Sequence, residues 1–106
     1  MLSDEYRYKI LKKLEVDPQI SQRALALELG ISVGKTNYCL QALIEKGLIK
    51  ANNFKNNQNK KAYMYLLTPR GAAEKLHSTQ RFLKAKMNEY ETLQREIEAL
   101  RKEVNQ

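Results

Sequence analysis

Residues Ser21 to Ile49 read SQRALALELGISVGKTNYCLQALIEKGLI, and the punctuation of this stretch decides the fold. Ser21 is placed to cap a helix in which Leu25, Ala26 and Leu29 form an apolar stripe. Gly30 ends that helix, because glycine readily takes the left-handed conformation that follows a helix terminus. Ile31 is expected to point inward, and Ser32 to cap a further helix. That helix runs through Leu40, Leu43 and Ile44 and stops at Gly47. A small residue, Ala26, lets two helices cross closely, and Gly30 makes the turn. This is helix-turn-helix spacing.

Working outward, Ser3 can cap an earlier helix with Asp4 and Glu5 in its first turn, where the helix dipole favours acids. Tyr6, Ile10, Leu11 and Leu14 repeat there at helical spacing, and Asp17-Pro18 stops it. After Gly47, Leu48-Ile49-Lys50 reads as a strand start. Residues 51 to 61 hold five Asn and three Lys, the chemistry of turns and loops. Ala62 to Leu67 reads AYMYLL and is a second strand. The two make a hairpin with a projecting polar tip. Thr68-Pro69 then starts a helix, Thr as cap and Pro in its first turn, that can run to about Val104. The fold class is mainly α with a small β-hairpin. Residues 1–68 form one domain and residues 69–106 a long C-terminal helix.

The chain has 106 residues, 19 Lys and Arg against 12 Asp and Glu, and a net charge of +7. Lys46 to Lys61 carries five Lys and no acid, whereas Glu89 to Gln106 carries five Glu and three basic residues. A basic middle with a mildly acidic end suggests contact with a polyanion in the middle and a different task at the end. One Cys excludes an internal disulfide and suits a reducing, cytoplasmic setting. No run approaches the ~20 apolar residues of a membrane span, and the charged N-terminus does not read as a signal peptide. One His, one Cys and no clustered carboxylates suggest neither a metal site nor a nucleophile–base pair. Neither an enzyme nor a cofactor is expected.

Leu76, Leu83, Tyr90, Ile97 and Val104 stand seven residues apart. With Leu93 and Leu100 between them, and Met87 beside them, they form a heptad seam of coiled-coil type. About 34 helical residues would span roughly 50 Å, longer than a small body can cover. A second copy of the chain is the economical partner, through Leu83, Met87, Tyr90, Leu93, Ile97, Leu100 and Val104. The first two turns, with Leu76 and Phe82, can instead pack on the chain's own core, and the alternative to pairing is a long helix that folds back on the domain. A parallel pairing matches Glu96 with Arg101 of the second copy, whereas Glu at successive flanking positions repels in the antiparallel one. Direction stays open, since each such pair is worth only a few tenths of a kcal/mol.

The order helix, helix, turn, helix, hairpin, with EKGLI before an Asn- and Lys-rich tip, resembles a winged helix. The sequence is similar to MarR-type winged helix-turn-helix regulators, and close to a small bacterial subgroup associated with exopolysaccharide. The resemblance lies in SQRALALELGIS, GKTNYCLQALIEKGLIKANNF, YLLTPRG and RFLKAKMNEYETLQREIEALRKEV, which together cover nearly the whole chain. The helix-turn-helix and EKGL segments are shared by many winged-helix families. GKTNYCL and FLKAKMNEYE are the more specific. The resemblance implies a transcription regulator of polysaccharide gene clusters. Typical members dimerise through helices from both termini and hold an effector pocket between these and the DNA-binding domain. This chain starts almost directly on its first core helix and has a single C-terminal helix for pairing, a departure that counts against a small-molecule effector.

On the helix that starts at Ser32, Gly34, Lys35, Tyr38, Gln41 and Glu45 fall outward, with Asn37 at the boundary. Its amino-terminal half would enter the major groove of double-stranded DNA. Lys35 can donate to guanine or to phosphate, and Asn37 can read adenine by two bonds if it points outward. Tyr38 can touch a phosphate or a thymine methyl, and Gln41 is a further candidate. Ser32 and the free N–H groups there suit a phosphate. Gln22 and Arg23 could hold the backbone, and Gly34 permits close approach. In the wing, Lys55, Lys60 and Lys61 can meet phosphates, and Asn57 can donate into the minor groove. A dimer would favour an inverted repeat, with affinity falling steeply with salt.

Two other functions compete. One is an adaptor in which the coiled coil recruits a protein. The other is an RNA binder acting on a transcript leader, for which Tyr63 and Tyr65 alternate on one strand but no wider stacking sheet is available. Cys39 reads as a small buried hydrophobe, with a redox switch as its alternative. His77 reads as surface. Operator, sign of regulation and effector have no signal in the chain.

Overall fold

A computed structural model describes residues 3–55 and 61–106. The element order is α1 (Asp4–Val16), α2 (Gln22–Leu29), α3 (Val33–Glu45), β1 (Ile49–Lys55), β2 (Lys61–Leu67) and α4 (Pro69–Val104). This is the expected winged helix-turn-helix with a long C-terminal helix. Every helix starts on a hydroxyl cap. The side chains of Ser3, Ser21, Ser32 and Thr68 accept from the backbone N–H of Tyr6, Ala24, Lys35 and Gly71. Each cap satisfies a donor that the helix itself cannot, worth about 1 kcal/mol. Gly30 and Gly47 hold φ of 69° and 72°, ending α2 and α3 in the left-handed region. Across the α2–α3 turn the Ile31 N–H donates to the Ala26 carbonyl at 3.1 Å.

The core joins Ile10, Leu11 and Leu14 of α1 to Leu25 of α2, Leu40 and Leu43 of α3, and Leu48, Ile49 and Tyr65 of the hairpin. Ile31, expected inside, is only half-buried, at the edge of the turn. The hairpin is antiparallel, with Ile49 opposite Leu67 and Lys55 opposite Lys61. The first strand therefore runs farther than its residue types suggest. Asn52 faces Met64 and Asn53 faces Tyr63 within the ladder, where loop chemistry was expected. The Asn side chains stay exposed, so their amides remain in water while the backbone pairs. A hairpin of two strands imposes little on such positions.

Two small residues seat α4. Gly71 lies so close to the Leu48 carbonyl that a Cβ there would stand 1.9 Å from the oxygen. Ser78 is fully buried, its hydroxyl donating back to the Glu74 carbonyl at 2.9 Å. Thr68 fixes the entry, its hydroxyl donating to the Gly47 carbonyl at 2.6 Å and its N–H to the Leu48 carbonyl at 3.0 Å. Farther along, the Phe82 ring stacks on Tyr8 of α1 at 5.4 Å between centroids. Glu74 is gripped by Arg7 at 2.8 Å and Arg81 at 2.6 Å, and Arg81 also reaches Asp4 at 3.0 Å. Lys75 pairs with Glu15 at 2.7 Å.

Of the two residues weighed for packing on the body, Phe82 does so and Leu76 does not. Leu76 is 58% exposed. The reason is helical phase: Gly71, Ser78 and Phe82 share the face turned to the body, and Leu76 lies on another. Beyond Phe82 the helix projects outward, giving the molecule extents of 69 × 27 × 23 Å. Among the described residues no helix is long and apolar enough to cross a membrane.

Candidate nucleic-acid interface

α3 has two sides with different chemistry. Thr36, Cys39, Leu40 and Leu43 are buried against the body. Gly34, Lys35, Asn37, Tyr38 and Gln41 are exposed, Tyr38 by 62%. Thr36 solves the problem of a buried hydroxyl by donating to the Ser32 carbonyl at 2.9 Å. The predicted face of α3 therefore shares one surface. The Ser32 side chain accepts from the Lys35 N–H at 3.0 Å, which leaves the hydroxyl hydrogen able to donate. At Gly34 a Cβ would meet only Ser32 Oγ, at 4.0 Å, so the backbone there is open to approach.

Lys35 Nζ sits 5.1 Å from the centroid of the Tyr6 ring on α1. Such a contact is worth about 0.5–1 kcal/mol on a surface. Tyr6 was expected only as core, so its hold on Lys35 had no signal in the heptad or helical spacing.

Gln22 and Arg23 open α2 beside this face, Arg23 exposed and Gln22 half-buried. Gln22 Nε2 donates to Asn37 Oδ1 at 3.1 Å and to Tyr65 Oη at 3.0 Å. Tyr65 is 4% exposed, and its backbone N–H donates to the Pro18 carbonyl at 3.0 Å. Tyr65 was singled out only through its alternation with Tyr63. The two rings do lie together, with centroids 6.3 Å apart. Nothing in the sequence indicated that the Tyr65 hydroxyl would reach the second helix.

In the wing, Lys55 and Lys61 face each other as the last pair of the ladder. Asn57 and Lys60 lie outside the described residues.

Cys39 is buried at 3% exposure among core side chains. Burial pushes its thiol above the ordinary range, against the pull of Lys35. A thiol so placed is a poor nucleophile.

On α4, Leu83, Met87, Tyr90, Leu93, Ile97, Leu100 and Val104 are exposed, from 40% at Ile97 to 83% at Val104. Lys86 holds the heptad position between Leu83 and Tyr90 and is turned sideways, with Nζ 5.3 Å from the Phe82 ring centroid and 3.2 Å from Glu89. A row of exposed large apolar side chains on one helix is the mark of an association surface.

Residues 3–50 match a family model described as winged helix-turn-helix DNA-binding. Among solved structures, a PadR-like transcriptional regulator from Bacillus cereus superposes with a TM-score of 0.67 at 17% identity, over 82% of this chain and 90% of that one. The transcriptional regulator BldR from Sulfolobus solfataricus gives 0.61 at 22% identity, over 76% of this chain and 58% of that one. A mutant of Escherichia coli MarR solved in complex with operator DNA gives 0.55 at 24% identity, over 70% of this chain and 51% of that one. At these identities the likeness is one of fold. The chain thus spans little more than half the length of BldR and MarR. No curated protein matches the sequence.

Proposed function

We propose that this chain is a MarR-type transcription regulator that binds an inverted-repeat DNA operator as a homodimer. In this reading α3 enters the major groove and the hairpin lies on the backbone or in the minor groove. Residues 1–68 read DNA and residues 69–106 pair two copies. The observation that carries it is the division of α3. One side is core, and the other presents Lys35, Asn37, Tyr38 and Gln41 together beside the start of α2. The match of residues 3–50 to a DNA-binding model and the net charge of +7 support the same partner.

Homodimerisation is supported by the exposed seam of α4, which projects clear of the body. It would set two copies of α3 at fixed spacing, as an inverted repeat requires. The finer assignment, to polysaccharide gene clusters, rests on the GKTNYCL and FLKAKMNEYE segments. The reading places the protein in a bacterial cytoplasm and assigns it no cofactor and no catalysis.

The test is substitution on the outward face. Lys35→Ala and Tyr38→Ala should each weaken binding to an operator duplex at least fivefold. That is a loss of about 1 kcal/mol or more per contact, and each should leave the oligomeric state and helical content unchanged. Binding that survives both substitutions together would reject the assignment of α3. It would shift attention to an adaptor role for α4.

A further inference from the structure

Asn37 does not turn freely on the surface of α3. Gln22 Nε2 gives one N–H to Asn37 Oδ1 at 3.1 Å and the other to Tyr65 Oη at 3.0 Å. Both hydrogens of that amide are then used. Tyr65 is a fixed post, since its side chain is buried and its own N–H is bonded to the Pro18 carbonyl. One half-buried side chain therefore ties α2 to α3 and to β2 at once. The tie has a direction. Asn37 turns its oxygen toward Gln22 and its Nδ2 group, with two N–H donors, away from it.

A freely rotating Asn matches adenine in the major groove by accepting from N6 and donating to N7. With Oδ1 held by Gln22, the outward amide offers donors first. Guanine, with O6 and N7 side by side, is the base edge made of acceptors. We propose that Gln22 is a positioning residue for base reading: it sets the Asn37 amide donor-outward, so that Asn37 selects a G·C pair over an A·T pair. This rests on the reading of the chain as a DNA-binding regulator.

The chemistry of position 22 makes the inference reversible by design. In Gln22→Glu a carboxylate accepts hydrogen bonds and donates none. Tyr65 can still bond to it through its hydroxyl hydrogen. Asn37 must then turn Nδ2 inward and present Oδ1, which accepts from cytosine N4 or adenine N6. In Gln22→Leu the hold is removed and Asn37 rotates. The added charge of Gln22→Glu weakens binding to all duplexes alike, so the quantity to read is a ratio between sequences.

The experiment is selection from a pool of duplexes with a randomised centre, using the full chain and its variants. Asn37→Ala first identifies the base pair whose preference depends on Asn37. At that pair wild type should favour G·C over A·T by roughly tenfold, the worth of one good side-chain contact. Gln22→Glu should invert the pair to C·G or move it to A·T. Gln22→Leu, which frees the amide to rotate, should move the preference from G·C toward A·T. The proposal is overturned if wild type prefers A·T there, or if Gln22→Glu and Gln22→Leu keep the wild-type preference. It is also overturned if Asn37→Ala changes no position. A pool from which wild type enriches no sequence overturns the DNA-binding reading itself, and this inference falls with it.

Discussion

Replacing Gly71 by alanine should loosen the joint between the winged body and α4. A Cβ at Gly71 would stand 1.9 Å from the Leu48 carbonyl oxygen and 2.9 Å from its carbon. Both are backbone atoms and cannot swing aside. The same carbonyl accepts from the Thr68 N–H at 3.0 Å, so moving α4 outward stretches the bond that sets its entry. Overpacking of a close interface costs about 1–3 kcal/mol, and an overlap this deep belongs at the upper end. Alanine returns about 1 kcal/mol through helix propensity. The net loss is about 2 kcal/mol, which lowers Tm by about 8–16 °C in a domain of this size. Gly34→Ala is the matched control, because its Cβ meets nothing nearer than 4.0 Å and its helical position gains up to about 1 kcal/mol. The assay is thermal and urea unfolding by circular dichroism, at equal protein concentration because the proposed dimer would add to apparent stability. A Gly71→Ala protein that melts at or above wild type would refute the placement of α4 against Leu48.

Other outcomes are as specific. Leu93→Glu together with Leu100→Glu should convert a dimer to a monomer in sedimentation equilibrium. The melting of the winged body should be little changed, since both side chains are exposed in the single chain. Burial pushes the Glu74 carboxyl up, but hydrogen bonds and charge from Arg7 and Arg81 outweigh it and hold the group below its ordinary value. Its stabilisation is therefore present above the unfolded value of about 4.3 and lost as pH falls through the lower folded one, so Glu74→Gln should lessen the loss of urea stability between about pH 6 and pH 3. Peroxide at neutral pH should leave DNA affinity unchanged, because the buried Cys39 thiol holds its proton; a loss that Cys39→Ser prevents would show otherwise.

Much of this fold was legible because its boundaries are set by single residues with one physical job. Ser3, Ser21, Ser32 and Thr68 cap, and Gly30 and Gly47 turn the chain where only a left-handed residue does so cheaply. The seven-residue spacing along α4 marks its exposed seam in the sequence itself. What escaped was contact between distant segments. Gly71 and Ser78 look like ordinary small residues in a helix, and only the approach of Leu48 and α1 gives them meaning. Helical phase alone could not tell that Phe82 would find Tyr8 while Leu76 faced water. The strand reaching Lys55 was hidden because Asn52 and Asn53 carry loop chemistry, and pairing with Met64 and Tyr63 overrides it. At the interface, periodicity found the outward side of α3. The bridge from Gln22 to Asn37 and Tyr65 depends on three elements meeting, which no local pattern encodes.

The most direct test of the central claim is a mobility shift on the DNA upstream of the protein's own gene, with excess non-specific duplex and a series of salt concentrations. The account predicts a complex that survives competitor, maps to a short inverted repeat, and weakens linearly in log affinity against log salt as phosphate contacts release counterions. A complex that competitor abolishes at every salt concentration would contradict it, leaving a basic surface without sequence recognition.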